Sequence, residues 1–204
     1  MWPAVSAEPI ALLLAAGRSR RFGADKRWQV VDGVPMALAS ARAVLAAVPR
    51  VVAVVRAEDS ALAGALAELG CHPVTCPDAD RGMGLSLAAG VQASIDAAGW
   101  LVALADMPWV QPATHAAVLG ALTAGASVAR ACHGGRAGHP VGFDRRWRDA
   151  LLALDGDEGA RRIVQRAGPA LVHCEVGDPG CLRDVDRPMD LGRGAFSDAG
   201  PVCS

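Results

Sequence analysis

The chain has 204 residues, 52% of them hydrophobic and 20% charged, and its 20 basic and 21 acidic side chains leave a net charge of −1. That length suits one domain, and so large an apolar share supplies a core and excludes wholesale disorder. The near-neutral balance excludes a chain built to coat nucleic acid or an anionic membrane, because such binding needs a net basic face.

The apolar stretch Ile10–Ala16 is far short of the ~20 residues of a membrane span, and no basic segment precedes it. Neither a signal peptide nor an anchor is expected, and the cytoplasm is the expected compartment. Six cysteines without a C-x-x-C pair fit reduced, mostly buried thiols, and Cys71, His72 and Cys76 lack the two tight ligand pairs of structural zinc.

Short apolar runs alternate with Ala-rich segments of helical period, the pattern of β-α units around a mostly parallel sheet. Ile10–Ala15, Arg50–Val55, Cys71–Thr75 and Trp100–Ala105 are expected strands, rich enough in Val, Leu and Ile to be covered on both faces. Between them Pro35–Ala47, Asp59–Leu69 and Leu85–Ala97 are expected helices, with Asp59 as a cap, and Pro112 sits at a first helical position ahead of Ala113–Leu122. Beyond residue 125, Ser127–Cys132, a His133-Gly134-Gly135 turn and Pro140–Phe143 form an antiparallel extension. Helical segments Arg145–Leu154 and Gly159–Arg166, a strand Ala170–Glu175 and a short strand Asp184–Asp186 before a Pro188-led turn complete the pattern. The expected fold is a three-layer α/β/α domain over residues 1–191, with a mobile tail from Gly192 onward.

In such sheets ligands bind at the carboxyl ends of the strands. The loop Leu14–Lys26 and the following Arg27 carry two glycines and five basic side chains (Arg18, Arg20, Arg21, Lys26, Arg27) against Asp25. Glycine-turn N–H groups beside Arg and Lys suit a polyphosphate. The spacing is neither a Walker A loop nor G-x-G-x-x-G. Asp106, at the end of the most hydrophobic strand, suits Mg²⁺, which takes one or two carboxylates plus substrate phosphates, and Asp186 is a candidate second ligand. Gly82 and Ser86 open a helix whose free N–H groups suit a nucleobase or anion. His139, between Gly138 and Pro140, is expected on a loop, and the acidic 155–158 stretch as a cap for the next helix.

Assembled, these residues resemble the MobA-like nucleotidyltransferases, and within them the molybdenum cofactor cytidylyltransferases. The family pattern L-A-A-G-x-S-x-R-M-G-x-x-K matches Leu14 to Lys26, with Phe22 in place of Met. G-M-x-x-S-L, D-M-P, G-H-P and D-x-D-x-P-x-D match Gly82–Leu87, Asp106–Pro108, Gly138–Pro140 and Asp184–Asp190, in the same order. The resemblance implies a Rossmann-like nucleotidyltransferase sheet. It implies that Leu14, Ala15, Ala16, Gly17, Arg18 and Ser19 line the nucleotide, that Arg21 and Lys26 hold its phosphates, and that Asp106 and Asp186 hold Mg²⁺. Gly82, Ser86 and His139 are placed near base or acceptor.

The implied reaction joins CMP from CTP to the phosphate of molybdopterin and releases pyrophosphate, with Arg21, Lys26 and Asp106 as its catalytic residues. Related guanylyltransferases carry Gly-Gly where this chain has Ala15-Ala16, so the Cβ of Ala16 is expected to favour CTP over GTP. Guanylyl transfer, another phosphate acceptor, a nicotinamide-dependent reductase, and a chaperone delivering the cofactor to a xanthine dehydrogenase-type apo-enzyme or its maturation factor stay open as alternatives.

Overall fold

The computed structural model describes residues 8–18, 22–157 and 159–192. In chain order, β1 (Ile10–Leu14) precedes two short strands, β2 (Val30–Val31) and β3 (Val34–Pro35), then α1 (Met36–Leu45), β4 (Val51–Arg56), α2 (Ser60–Glu68) and β5 (His72–Cys76). Next come α3 (Met83–Ala93), β6 (Gly99–Leu104), α4 (Pro112–Thr123), β7 (Val128–His133) and β8 (Arg136–Asp144). The order ends with α5 (Arg148–Leu152), α6 (Arg161–Ala167) and β9 (Leu171–Glu175).

A seven-stranded sheet has the order β5-β4-β1-β6-β8-β7-β9. β5, β4, β1 and β6 are parallel, β8 is antiparallel to β6 and β7, and β9 is parallel to β7. Successive side chains point to opposite faces, so each central strand feeds two cores. Ala11 and Leu13 of β1 pack with Ala41, Leu62 and Val118 of α1, α2 and α4. Ile10, Leu12 and Leu14 pack with Leu87, Leu151 and Ile163 of α3, α5 and α6. This is the expected three-layer α/β/α arrangement, and burial on both faces explains why the strands read as unbroken apolar runs.

The chain leaves β1 for β4 on one side and comes back to β6 on the other, so strand order reverses at the β1–β6 boundary. Leu14 lies opposite Leu104 in register, and the Ala105 N–H donates to the Leu14 carbonyl at 3.1 Å. The segments after both strands therefore emerge side by side at the switch point, where open α/β sheets bind ligands.

Several expectations change. Asp184–Asp186 is an extended segment outside any strand, held to the β6 end by the Val185 N–H on the Asp106 carbonyl at 2.9 Å. Asp59 stands at the start of α2 without a side-chain cap bond, because its carboxylate is taken by Arg27 and Arg56. The β2–β3 hairpin was not expected, and Asp32 and Gly33 supply the positive φ angles (49° and 82°) that its turn requires. The helix expected over Arg145–Leu154 is a 3₁₀ turn followed by α5 alone. Cys71, Cys76, Cys132 and Cys181 are buried free thiols and Cys174 a half-buried one, and burial pushes Cys71 and Cys181 up to about 11, which keeps them protonated. Cys203 and the tail after Gly192 lie outside the described residues. Among the described residues no helix is long and apolar enough to cross a membrane.

His115 of α4 is buried, and its Nδ1 has no hydrogen-bond partner. Burial lowers its pKa from 6.5 to about 4, against a raising influence of Asp178. A depressed folded-state pKa means that the unfolded chain binds the proton more tightly, so this stability is complete above pH ~6.5 and is lost as pH falls toward ~4. The loss expected is ~1.4 kcal/mol per pH unit within that window. Denaturant midpoints between pH 7 and pH 4.5 check this. His115→Leu should flatten the slope, and an unchanged slope would remove His115 as its source.

Candidate active site at the carboxyl ends of β1 and β6

A cleft of about 470 Å³ opens at the switch point, and its lining includes Leu14, Ala15, Ala16, Gly17, Arg18, Lys26, Gly82, Ser86, Asp106 and Asp186. These residues were singled out in the sequence, and the fold brings them to one place. Ser19 and Arg21 lie outside the described residues.

Lys26 sits on a 3₁₀ turn (Lys26–Trp28) that Asp25 starts by accepting the Arg27 N–H at 3.1 Å. Its ammonium donates to Asp106 Oδ2 at 2.7 Å and to the Val185 carbonyl at 2.6 Å, and it lies 3.6 Å from Asp186 Oδ1. Asp184 flanks the group: burial raises its pKa, as do the negative charges of Asp106 and Asp186, while Lys26 lowers it. Two carboxylates, Asp106 and Asp186, beside one ammonium leave excess negative charge made of hard oxygen donors. That donor set fits a divalent cation completing its shell with phosphate oxygens. Among the described residues no group of three or more His, Cys, Asp or Glu side chains is arranged to hold a metal ion by itself.

The basic loop divides by role. Arg18 forms a bidentate ion pair with Asp80 across the cleft, both side chains near half exposed. Arg27 also lines the cleft but is 3% exposed, and its N–H groups go to protein acceptors.

The opposite wall starts at Gly82, whose φ of 139° precedes α3. Its Cα faces the backbone of Gly156 so closely that a Cβ would come within 2.2 Å of the Gly156 carbonyl carbon. The Gly84 N–H donates to the Gly156 carbonyl at 2.9 Å, so the 155–157 loop is fastened to the start of α3 and Asp157 joins the lining. The stretch thus contributes Asp157 to the cleft wall, and α6 starts at Arg161 after Ala160, without a side-chain cap. Asp157 and Asp80 were not singled out as site residues, and Arg27 was read only as one of the basic side chains of the phosphate loop. Only the Gly82-Met83-Gly84 spacing signalled a close backbone approach there.

His139 is the one described site candidate away from this lining. It belongs to β8 (Arg136–Asp144) and not to a loop, at the place where the β7–β8 register shifts between Val141 and Ala137. Its Nδ1 is buried without a hydrogen-bond partner. Burial lowers its pKa to about 4, helped by Arg130 and opposed by Asp106, so the ring is neutral near pH 7 and lies within electrostatic reach of the Asp106 carboxylate.

A family model described as a MobA-like NTP transferase domain matches residues 11–171. The purine catabolism protein PucB of Bacillus subtilis (strain 168) is 33% identical over 204 residues, covering 92% of this chain and 97% of PucB. The crystal structure of Rv0371c from Mycobacterium tuberculosis H37Rv superposes with a TM-score of 0.80 at 26% identity, over 92% of this chain and 96% of that one. The structure of Rv0371c in complex with manganese gives a TM-score of 0.76 at 24% identity, over 90% and 96% of the two chains.

Proposed function

The chain belongs to the MobA-like NTP transferase family, and from that membership we propose that it is a divalent-metal-dependent cytidylyltransferase joining CMP from CTP to the phosphate of molybdopterin. One observation carries the reading: a cleft lined by Ala15–Gly17 ends on Lys26 Nζ between Asp106 at 2.7 Å and Asp186 at 3.6 Å. A triphosphate lying along Ala15–Gly17 meets its cation partners at that end.

In the proposed reaction a phosphate oxygen of the acceptor forms a bond to the α-phosphorus. The bond from the α-phosphorus to the bridging oxygen breaks, and pyrophosphate departs with that electron pair. The acceptor phosphate is already anionic near pH 7, so no protein side chain has to remove a proton. Asp106 and Asp186 would hold Mg²⁺, or the manganese seen with Rv0371c. The bound cation supplies charge neutralisation on phosphate oxygens. Lys26, at the acidic end of the cleft, is assigned to the charge of the departing pyrophosphate, and Arg21 is assigned to the same phosphates. Gly82 and Ser86 face the nucleoside, with the Cβ of Ala16 narrowing the space for a purine. Neutral His139 suits a hydrogen bond to the acceptor, and a relative named for purine catabolism supports a recipient enzyme that acts on purines.

The test is pyrophosphate release from purified protein with Mg²⁺ and molybdopterin, run in parallel with CTP, GTP, ATP and UTP. Release expected with CTP alone supports the reading. Preference for GTP keeps the mechanism and removes the base assignment, whereas silence with all four transfers the weight to another acceptor or to cofactor delivery.

A further inference from the structure

Side chains on a 3₁₀ turn step by about a third of a circle per residue, so neighbours point apart. Lys26 and Arg27 both line the cleft, Lys26 at its acidic end and Arg27 against the end of β1, where Arg27 is only 3% exposed. Arg27 Nε donates to Asp25 Oδ1 at 2.7 Å, and Nη2 donates to Asp25 Oδ2 at 2.6 Å and Asp59 Oδ1 at 2.9 Å. Nη1 donates to the Ala15 carbonyl at 2.7 Å and to Asp59 Oδ2. A guanidinium has five N–H groups, and each of these has a protein acceptor. Asp59 is itself fixed by Arg56 Nε at 2.9 Å and Nη2 at 3.0 Å. Burial opposes the charge on Arg27, but the bonds and charges of Asp25 and Asp59 outweigh it and raise its pKa.

A cation so saturated has no hydrogen left for a phosphate. Its one backbone partner is Ala15, whose own N–H is tied to the Val54 carbonyl at 2.8 Å. Ala15 is therefore pinned on both sides, and Ala16 and Gly17 extend into the cleft from a fixed stem. Fold stability alone gives little reason for such a group, since an apolar side chain of similar volume often stabilises a buried site as well as an ion-pair network does. We propose that Arg27 is a positioning residue that presets the Ala15–Gly17 loop for a nucleoside triphosphate. This inference rests on the proposed function, which assigns that loop to the nucleotide.

The test compares full-length wild type, Arg27→Met, Arg27→Lys and Asp25→Asn for CTP and GTP binding with Mg²⁺, for KM against kcat, and for amide exchange at residues 15–17. Losing hydrogen bonds of a charged group in the empty protein is expected to raise KM for the nucleotide roughly 10- to 100-fold, with a smaller change in kcat. Arg27→Lys, with three donors, recovers part of the affinity, and exchange at residues 15–17 speeds up at unchanged exchange in the sheet. A role confined to holding the fold lowers Tm but leaves KM and loop exchange at wild-type values in the folded protein, and that result overturns the proposal. If Arg27→Met does not fold, the Lys and Asp25→Asn proteins decide by the same criteria. Absence of nucleotide binding by wild type would instead bring down the proposed function and this inference with it.

Discussion

An Asp106→Asn protein is expected to fold normally and lose roughly 10³-fold or more in kcat for nucleotidyl transfer, with no recovery at raised Mg²⁺ or Mn²⁺. The substitution is nearly isosteric. The backbone contact that fixes the segment, the Val185 N–H on the Asp106 carbonyl at 2.9 Å, does not involve the side chain. Lys26 keeps the Val185 carbonyl at 2.6 Å and Asp186 nearby, so the turn that carries it stays anchored. What disappears is one hard anionic donor of the pair facing the cleft, and the remaining Asp186, 45% exposed, is a weak holder alone. Nucleotide affinity without metal should change little, because the Ala15–Gly17 wall is untouched. Steady-state pyrophosphate release over a metal titration checks both halves. A kcat within a few-fold of wild type would remove Asp106 from the metal site.

Much of the frame was legible because it depends on local pattern. β1, β4 and β6 read as short apolar runs since each buries both faces, and Pro112 marked the start of α4 through its fixed φ. The site was legible as ordered motifs at strand ends, and Leu14, Ala15, Lys26, Gly82 and Asp106 do meet in one cleft. What escaped depends on contacts between distant segments. Arg27 reads as one more basic residue of a loop until Asp59, 32 positions away, arrives beneath it. The 155–157 loop reads as a helix cap until α3 presents two glycines against it. His139 between Gly138 and Pro140 has the composition of a turn, and only the pairing of the flanking residues, 141–144 with β6 and 136–137 and 141–143 with β7, carries that segment as an irregular part of a strand. The Asp32-Gly33 hairpin did carry a local signal, which the adjacent helix start at Pro35 obscured.

The contact between α3 and the 155–157 loop gives the second large effect. A Cβ on Gly82 would lie 2.2 Å from the Gly156 carbonyl carbon, 2.3 Å from its oxygen and 2.6 Å from the Asp157 nitrogen. All three are backbone atoms, so no side-chain rotation relieves the overlap, and φ of 139° is itself a region that L residues avoid. Gly82→Ala must therefore push the loop off the start of α3, breaking the Gly84 N–H bond to the Gly156 carbonyl and carrying Asp157 away from the cleft. The expected cost is ~2–4 kcal/mol of stability, combining backbone strain with a lost buried contact. Nucleotide affinity should fall with it, because Ser86 and Asp157 line the cleft from the two separated pieces. Gly64→Ala is the matched control: it lies on the exposed face of α2 with nothing within 4 Å of the added methyl, and should gain ~0.5–1 kcal/mol from helix propensity. Denaturant midpoints and nucleotide KM for the two proteins separate the cases. If Gly82→Ala matched Gly64→Ala in both, the 155–157 loop would be free to move without cost and could not be a fixed wall of the site.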